Sequence, residues 1–168
     1  MPKEKLDDSK YLAKMRSKAD KAGTDLFLLM SGALDASKEK RAASSSRISK
    51  SFDRAVQLGA PLVRIFLKAP GTDSGKGLEA SVEALKPLAE EAAKKNLTIA
   101  IEPGASELSQ KGAFLAKVAT KLNHPALKLM PDFGKLKGNV YEGTEAMLPH
   151  TITVSCKMHS FDKEGNQP

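Results

Sequence analysis

The sequence predicts an α/β fold in which the strands of a parallel sheet alternate with helices. Short apolar runs begin every 25 to 36 residues, and most are continuous, as expected for strands covered on both faces. Segments with apolar residues at helical spacing separate these runs. Such alternation is typical of right-handed βαβ units. The pattern leaves two architectures open: a doubly wound sheet, which five units could form, and a closed barrel, which needs eight.

The strands are predicted from short runs of apolar and β-branched residues that end in polar or turn-forming positions. The second run is unusual because it contains a charged residue, Arg64, which needs a partner if it is buried. The five predicted strands cover residues 25–30, 61–67, 97–101, 126–130 and 151–155.

The helices are predicted from apolar residues three to four positions apart and from the residues that end them. Gly59 follows the second helix as a C-terminal signal. Pro87 interrupts the third, so we expect a kink there or a helix that begins late. The predicted helices cover residues 8–22, 40–58, 78–95, 112–122 and 141–148.

The composition is that of an ordinary soluble domain, and we treat residues 1–168 as one domain. No apolar run is long enough to span a membrane. Cys156 is the single cysteine, so an internal disulfide is excluded and a reducing, cytoplasmic location is expected. Because Cys156 lies in an apolar run, we expect its thiol to be buried.

The chain is basic, with 27 Lys and Arg residues against 20 Asp and Glu residues and a net charge of +7. Such a charge could attract nucleic acid or phosphorylated substrates. However, the lysines are scattered at helix-surface spacing and form no tract, which favours a solvated surface over a nucleic-acid interface.

Several polar residues follow the predicted strands at the edge where parallel α/β folds place their functional groups. Glu102 follows the third strand, Asp132 the fourth, and Lys157 and His159 the fifth. Two carboxylates facing each other repel unless a cation lies between them. Oxygen ligands with one nitrogen donor suit Mn²⁺ or Mg²⁺, with Co²⁺ and Zn²⁺ also possible. The sequence therefore predicts a divalent-metal site formed by Glu102, Asp132 and His159.

Each of these residues also has a simpler interpretation. Glu102 and Asp132 could cap the helices that follow them or pair with nearby lysines. His159 could be an exposed loop residue, and Lys157 could either stabilise an enediolate or reach solvent. Arg64 could point into a barrel lumen, where it would bind a substrate oxygen or pair with Glu102.

Four segments resemble the sugar phosphate isomerase/epimerase family, which has the xylose-isomerase-like barrel and belongs to a superfamily that includes endonuclease IV. The distinctive parts are the Pro-Asp-Phe-Gly strand end at residues 131–134 and a later segment that contains Lys157, Phe161-Asp162 and Gly165. The similar segments are residues 55–65, 99–102, 129–134 and 154–166. The resemblance implies a partial (β/α)₈ barrel, truncated at both ends, whose five strands correspond to the third to seventh of eight.

The family resemblance also implies a ligand set. A Glu on the fifth barrel strand and an Asp on the sixth match Glu102 and Asp132. Ser155 falls where many relatives place a His, so His159 is the candidate replacement, and the fourth ligand belongs to an eighth strand that the sequence does not contain. Pro103 stands where many relatives have Asn, which removes a polar side chain from the rim.

The resulting functional prediction is a metal-dependent isomerase or epimerase of a small sugar or sugar phosphate, working through an enediolate. Glu102 and Lys157 are the predicted catalytic residues, and Arg64 and His159 the predicted substrate-binding residues. One alternative is a non-catalytic barrel remnant or assembly module, which could form homo-oligomers through open sheet edges. A second alternative is an endonuclease IV-like enzyme, for which three His residues are too few.

Overall fold

The structure is a computed structural model that describes residues 5–157 and 161–165. Its centre is a four-stranded sheet in which every neighbouring pair is parallel and the strands lie side by side in chain order. The strands are β1 (Leu28–Asp35), β2 (Leu62–Lys68), β3 (Thr98–Glu102) and β4 (Leu127–Leu129).

Five α-helices accompany the sheet, and all five were predicted. They are α1 (Ser9–Lys21), α2 (Lys38–Leu58), α3 (Ser74–Lys94), α4 (Gly112–Leu122) and α5 (Val140–Met147). Each of α1 to α4 contacts the next helix, and α2, α3 and α4 also pack on strands β1 to β4 in the same order. Strands and helices that advance together in chain order are typical of a barrel wall, whereas a doubly wound sheet would reverse direction and carry helices on both faces.

The core lies between the helices and one face of the sheet. Because side chains alternate along a strand, Val63 and Ile65 of β2 face the helices whereas Arg64 faces the opposite side. The largest fully buried side chains belong to this helix-facing layer: Leu34, Ile48, Phe52, Ile65, Leu67, Leu85, Ile99, Ile101, Leu115, Leu129 and Met147. The other face of the sheet corresponds to the inner face of a barrel, and we call it the inner face below.

The first strand is longer than the sequence predicted and is displaced along the chain. It begins at Leu28 and runs to Asp35, through the polar Ser31 and Gly32 that interrupt the apolar pattern. The register shifts between Met30 and Ala33, which accommodates this interruption. Leu34, beyond the predicted end, is fully buried.

The fifth predicted strand lies beside β4 as expected but does not form a continuous ladder. It makes two isolated parallel bridges, Leu129 with Thr151 and Asp132 with Ser155. Pro131, between these bridges, has no backbone N–H to donate, which interrupts the ladder. Cys156 at the end of this segment is exposed, so the prediction of a buried thiol was wrong.

Helix α3 begins earlier than predicted and continues through Pro87. Asp73 caps its first turn by accepting hydrogen bonds from the backbone N–H groups of Gly75 and Lys76, at 2.8 and 3.0 Å. Pro87 is on the exposed side of the helix, where a missing hydrogen bond faces water. Among the described residues, no helix is long and apolar enough to cross a bilayer.

Candidate functional site

The register between β2 and β3 brings an acid, a base and an aromatic ring together on the inner face. Phe66 is paired with Glu102, and Arg64 is paired with Ala100, so Arg64, Phe66 and Glu102 share one face of adjacent strands. Glu102 is the last residue of β3 and Asp132 lies just beyond the end of β4. Both carboxylates are almost completely buried, with 2% and 1% of their surface exposed.

Two cations compensate these buried carboxylates. Arg64 Nε lies 2.8 Å from Glu102 Oε2. Lys135 Nζ donates a hydrogen bond to Glu102 Oε1 and lies 3.9 Å from Asp132 Oδ2. The charged forms of the four side chains, two acidic and two basic, sum to zero. The arrangement is a closed ion-pair network, which is the form in which buried charges are tolerated.

The contact between Arg64 and Glu102 is electrostatic, because the Nε–H bond is not directed at the carboxylate oxygen. Neither Arg64 Nε nor Glu102 Oε2 has a hydrogen-bond partner among the described residues. Arg64 is held instead by its Nη1, which donates to the backbone carbonyl of Ser31 at 3.0 Å. Glu102 Oε2 therefore retains an open acceptor position.

The protonation behaviour of Glu102 follows from this environment. Burial raises the pKa of Glu102, the adjacent Asp132 raises it further, and the contacts with Lys135 and Arg64 lower it, with a net upward shift. Burial lowers the pKa of Arg64, although Glu102 and Asp132 act in the opposite direction. A carboxyl group with a raised pKa at a strand end is a candidate for proton transfer.

Phe66 and Gly104 position the two cations. The Arg64 guanidinium carbon lies 4.3 Å from the centre of the Phe66 ring, and Lys135 Nζ lies 4.4 Å from it. Gly104 has φ +142°, and a Cβ there would lie 3.2 Å from the Phe66 ring and 3.9 Å from Lys135 Cδ. Glycine at 104 thus provides both the backbone conformation and the space for the ring.

Asp132 is fixed by hydrogen bonds on both oxygens. Its Oδ1 accepts the backbone N–H of Gly134 at 2.9 Å, and its Oδ2 accepts the Ser155 hydroxyl at 3.0 Å. Ser155 occupies the position at which the family resemblance implies a His. In this chain that position supplies a hydrogen-bond donor to Asp132.

The structure brings together three of the predicted site residues, Arg64, Glu102 and Asp132, whereas Lys157 is exposed and His159 lies outside the described residues. The functional roles predicted for these five residues remain predictions. The pairing of Arg64 with Glu102, one of the two interpretations of Arg64, is observed. So is the pairing of Glu102 with a nearby lysine.

Sequence reasoning missed Lys135, since it considered only residues that directly follow strands. The available signal was a lysine three positions after Asp132.

The described residues do not by themselves fit a divalent ion. Within residues 5–157 and 161–165, no group of three His, Cys, Asp or Glu residues could hold a metal. Glu102 and Asp132 would provide two ligands, but Lys135 already lies against both of them. A dication would add two positive charges to a buried network that is already neutral.

Comparison with known proteins identifies the family. A family model described as xylose isomerase-like TIM barrel matches residues 2–153. The chain belongs to the xylose isomerase-like TIM barrel family. The predicted family and the predicted partial (β/α)₈ fold are both confirmed. None of the curated proteins matches the sequence.

Solved structures with the xylose isomerase-like fold superimpose closely on the chain. A xylose isomerase domain protein from Planctomyces limnophilus has a TM-score of 0.79 at 19% identity, covering 94% of this chain and 62% of that one. A D-psicose 3-epimerase, solved in the presence of D-fructose, has a TM-score of 0.75 at 15% identity, and the match covers 96% of this chain and 63% of that one. A xylose isomerase-like TIM barrel protein from Mycobacterium smegmatis, in complex with magnesium, has a TM-score of 0.66 at 16% identity, and the match covers 94% of this chain and 59% of that one.

These similarities establish the fold, because identities this low carry no information about individual site residues. The chain spans less than two thirds of the length of these three structures, which places it as an incomplete barrel of this family. One of these three structures, the D-psicose 3-epimerase, is named as a sugar epimerase.

Proposed function

We propose that this chain carries part of the active site of a sugar isomerase or epimerase, in which Glu102 transfers a proton between adjacent carbons. The observation that supports this best is the placement of Glu102: a buried carboxylate at the carboxyl end of a barrel strand, with one oxygen that accepts no hydrogen bond from the described residues. Burial raises the pKa of Glu102, and a carboxylate with a raised pKa is a stronger base.

The proposed step is the removal of a proton from a carbon next to a carbonyl group. Glu102 takes the proton, the electrons of the C–H bond move toward the carbonyl carbon, and the negative charge develops on the oxygen of an enediolate. Return of the proton to the neighbouring carbon, with transfer of the hydroxyl proton to the enediolate oxygen, gives the isomer. Delivery of a proton from water to the opposite face of the original carbon gives the epimer. Positive groups close to this oxygen stabilise the charge as it develops, and Arg64 and Lys135 both lie beside Glu102.

The proposed substrates are small sugars or sugar phosphates. Support comes from the family and from neighbours such as the D-psicose 3-epimerase. Arg64 as a substrate-binding residue, Lys157 as an enediolate-stabilising cation and His159 as a substrate or metal ligand remain predictions. A cytoplasmic location also remains a prediction.

The predicted divalent metal, Mn²⁺ or Mg²⁺ with Co²⁺ or Zn²⁺ possible, has support from the magnesium complex of the Mycobacterium smegmatis neighbour. It would use Glu102, Asp132 and His159 as ligands. The position of Lys135 against both carboxylates weighs against it. Proton transfer by Glu102 can therefore be tested without assuming a metal.

Hydrogen exchange in D₂O tests the proposed activity directly. The chain, with and without added Mn²⁺, is incubated with ketohexoses and their phosphates, and loss of the C3 or C1 proton signal is followed by NMR. We expect exchange with the native chain and none with Glu102→Gln, because the amide cannot accept the proton. Glu107→Gln, a change at an exposed residue, is the matched control and should retain full exchange. Undiminished exchange in a folded Glu102→Gln variant would contradict the proposal.

A further inference from the structure

The cation beside the paired carboxylates of the site is an amino-acid side chain, Lys135. Its Nζ contacts Glu102 and lies 3.9 Å from Asp132, and the side chain is 29% exposed. It reaches this place from the loop after β4, which also carries Asp132. One ammonium group thus contacts both acids, as a bridging ion would.

The position of Lys135 is built into the surrounding structure. Its ammonium group lies over the ring of Phe66, and the absence of a side chain at Gly104 leaves room for that ring. Leu136, the next residue, is buried and anchors the loop in the core. These contacts distinguish Lys135 from Lys137, which lies two residues further along the same loop and is exposed.

The electrostatic balance favours a singly charged cation at this point. Arg64 already supplies one positive charge to Glu102, so Lys135 completes a neutral set with the two carboxylates. Each oxygen of Asp132 also accepts one hydrogen bond, from the N–H of Gly134 and from the hydroxyl of Ser155. A divalent ion would have to displace the ammonium group and leave an excess of positive charge in a buried place.

We propose that Lys135 takes the place of the divalent ion between Glu102 and Asp132, so that this site works without a bound metal. The inference rests on the proposed function, because the ligand in question is a sugar with a carbonyl next to a hydroxyl group. The ammonium group donates hydrogen bonds to the ligand oxygen that a metal would otherwise polarise. It does so as a compact charge with three rotatable donors.

The test is a titration of the native chain and three variants with Mn²⁺ alone, followed by the loss of the free-ion signal in electron paramagnetic resonance. The variants are Lys135→Met, Lys137→Met and the double variant Lys135→Met with Asp132→Ala. Methionine retains most of the aliphatic stem that packs near Phe66 and removes the charge. Circular dichroism confirms that each variant is folded.

We expect no saturable Mn²⁺ binding by the native chain or by Lys137→Met up to millimolar concentrations. Lys135→Met should gain stoichiometric binding, since the carboxylates lose their cation, and the double variant should lose it again. Micromolar binding by the native chain would overturn the proposal, and this result does not depend on whether any variant folds. A folded Lys135→Met variant with no gain in binding would overturn it as well.

These outcomes are separable from those of the exchange experiment. Exchange that requires added Mn²⁺ would preserve the proposed function and remove the role of Lys135. The absence of exchange under all conditions would remove the proposed function, while the titration would still decide which cation the carboxylates bind.

Discussion

At the scale of single residues, two strand-end carboxylates have opposite pKa shifts, and they differ in burial: the Glu102 side chain is 3% exposed and the Asp35 side chain 13%. Burial raises the pKa of Glu102, and its neighbours do not fully offset this effect. Burial also acts to raise the pKa of Asp35 at the end of β1, but hydrogen bonds from the side chain and backbone of Ser37, with the charge of Lys68, outweigh it and the pKa is lowered. The balance between burial and the donors or cations around each carboxylate decides the sign of its pKa shift.

The lowered pKa of Asp35 predicts a contribution to stability that depends on pH. A carboxyl group with a lower pKa in the folded state stabilises the fold above its unfolded pKa, near 3.8, and this contribution is lost as pH falls through the folded value. Asp35→Asn should therefore lower the melting temperature at pH 7 and have a diminishing effect as the pH falls below about 4.

Thermal unfolding followed by circular dichroism between pH 2 and pH 7 measures this effect. Asp25→Asn, which changes the same charge at an exposed position, is the control and should have little effect at any pH. An Asp35→Asn penalty that stayed constant across this range would show that the carboxylate charge is not what stabilises the end of β1.

At the scale of elements, α4 and α5 approach each other so closely that one glycine is required between them. A Cβ at Gly112 would lie 2.0 Å from the backbone oxygen of Gly143, which cannot move without shifting α5. At Gly143, by contrast, the nearest atom to a Cβ would be 3.6 Å away, an ordinary contact. The two glycines face each other, but only one of them has no room for a side chain.

We therefore expect Gly112→Ala to destabilise the protein by about 1–3 kcal/mol through overpacking. Gly143→Ala, inside α5, should be neutral or stabilising by up to about 1 kcal/mol because alanine favours the helix. Urea unfolding of the two variants provides the comparison, each serving as the control for the other. Equal effects of the two substitutions would contradict this helix contact.

The elements also show what sequence patterns can and cannot establish. The bounds of α4 were predicted correctly, because apolar residues at helical spacing are a local signal. The extension of β1 past Ser31 and Gly32 was missed, since only pairing with β2 reveals it.

The site likewise combines features that local sequence signals indicate with contacts that only the fold reveals. The strand ends indicated Glu102 and Asp132, but the contacts of Lys135 depend on Phe66 and Gly104, which are distant in sequence.

At the scale of the whole molecule, the two edges of the sheet differ. Residues 151–155 bridge to β4 and the loop after it and partly cover that edge. The other edge strand, β1, has only β2 as a partner in the described part of the chain. Met30 on β1 is 65% exposed and Phe27 just before it is 56% exposed. A cavity of about 670 Å³ lies alongside, lined by residues of β1 and α2.

An edge strand with exposed apolar side chains invites pairing with another chain. We predict that a second copy pairs through β1, giving a dimer whose mass analytical ultracentrifugation can measure across a concentration series. Met30→Lys should shift the equilibrium toward monomer, because a charged side chain at an edge opposes such pairing. Tyr141→Lys places the same charge at an exposed aromatic residue on α5 and should leave the equilibrium unchanged. A native chain that remains monomeric at high concentration would contradict self-pairing through β1, and any partner of this edge would then have to be a different protein.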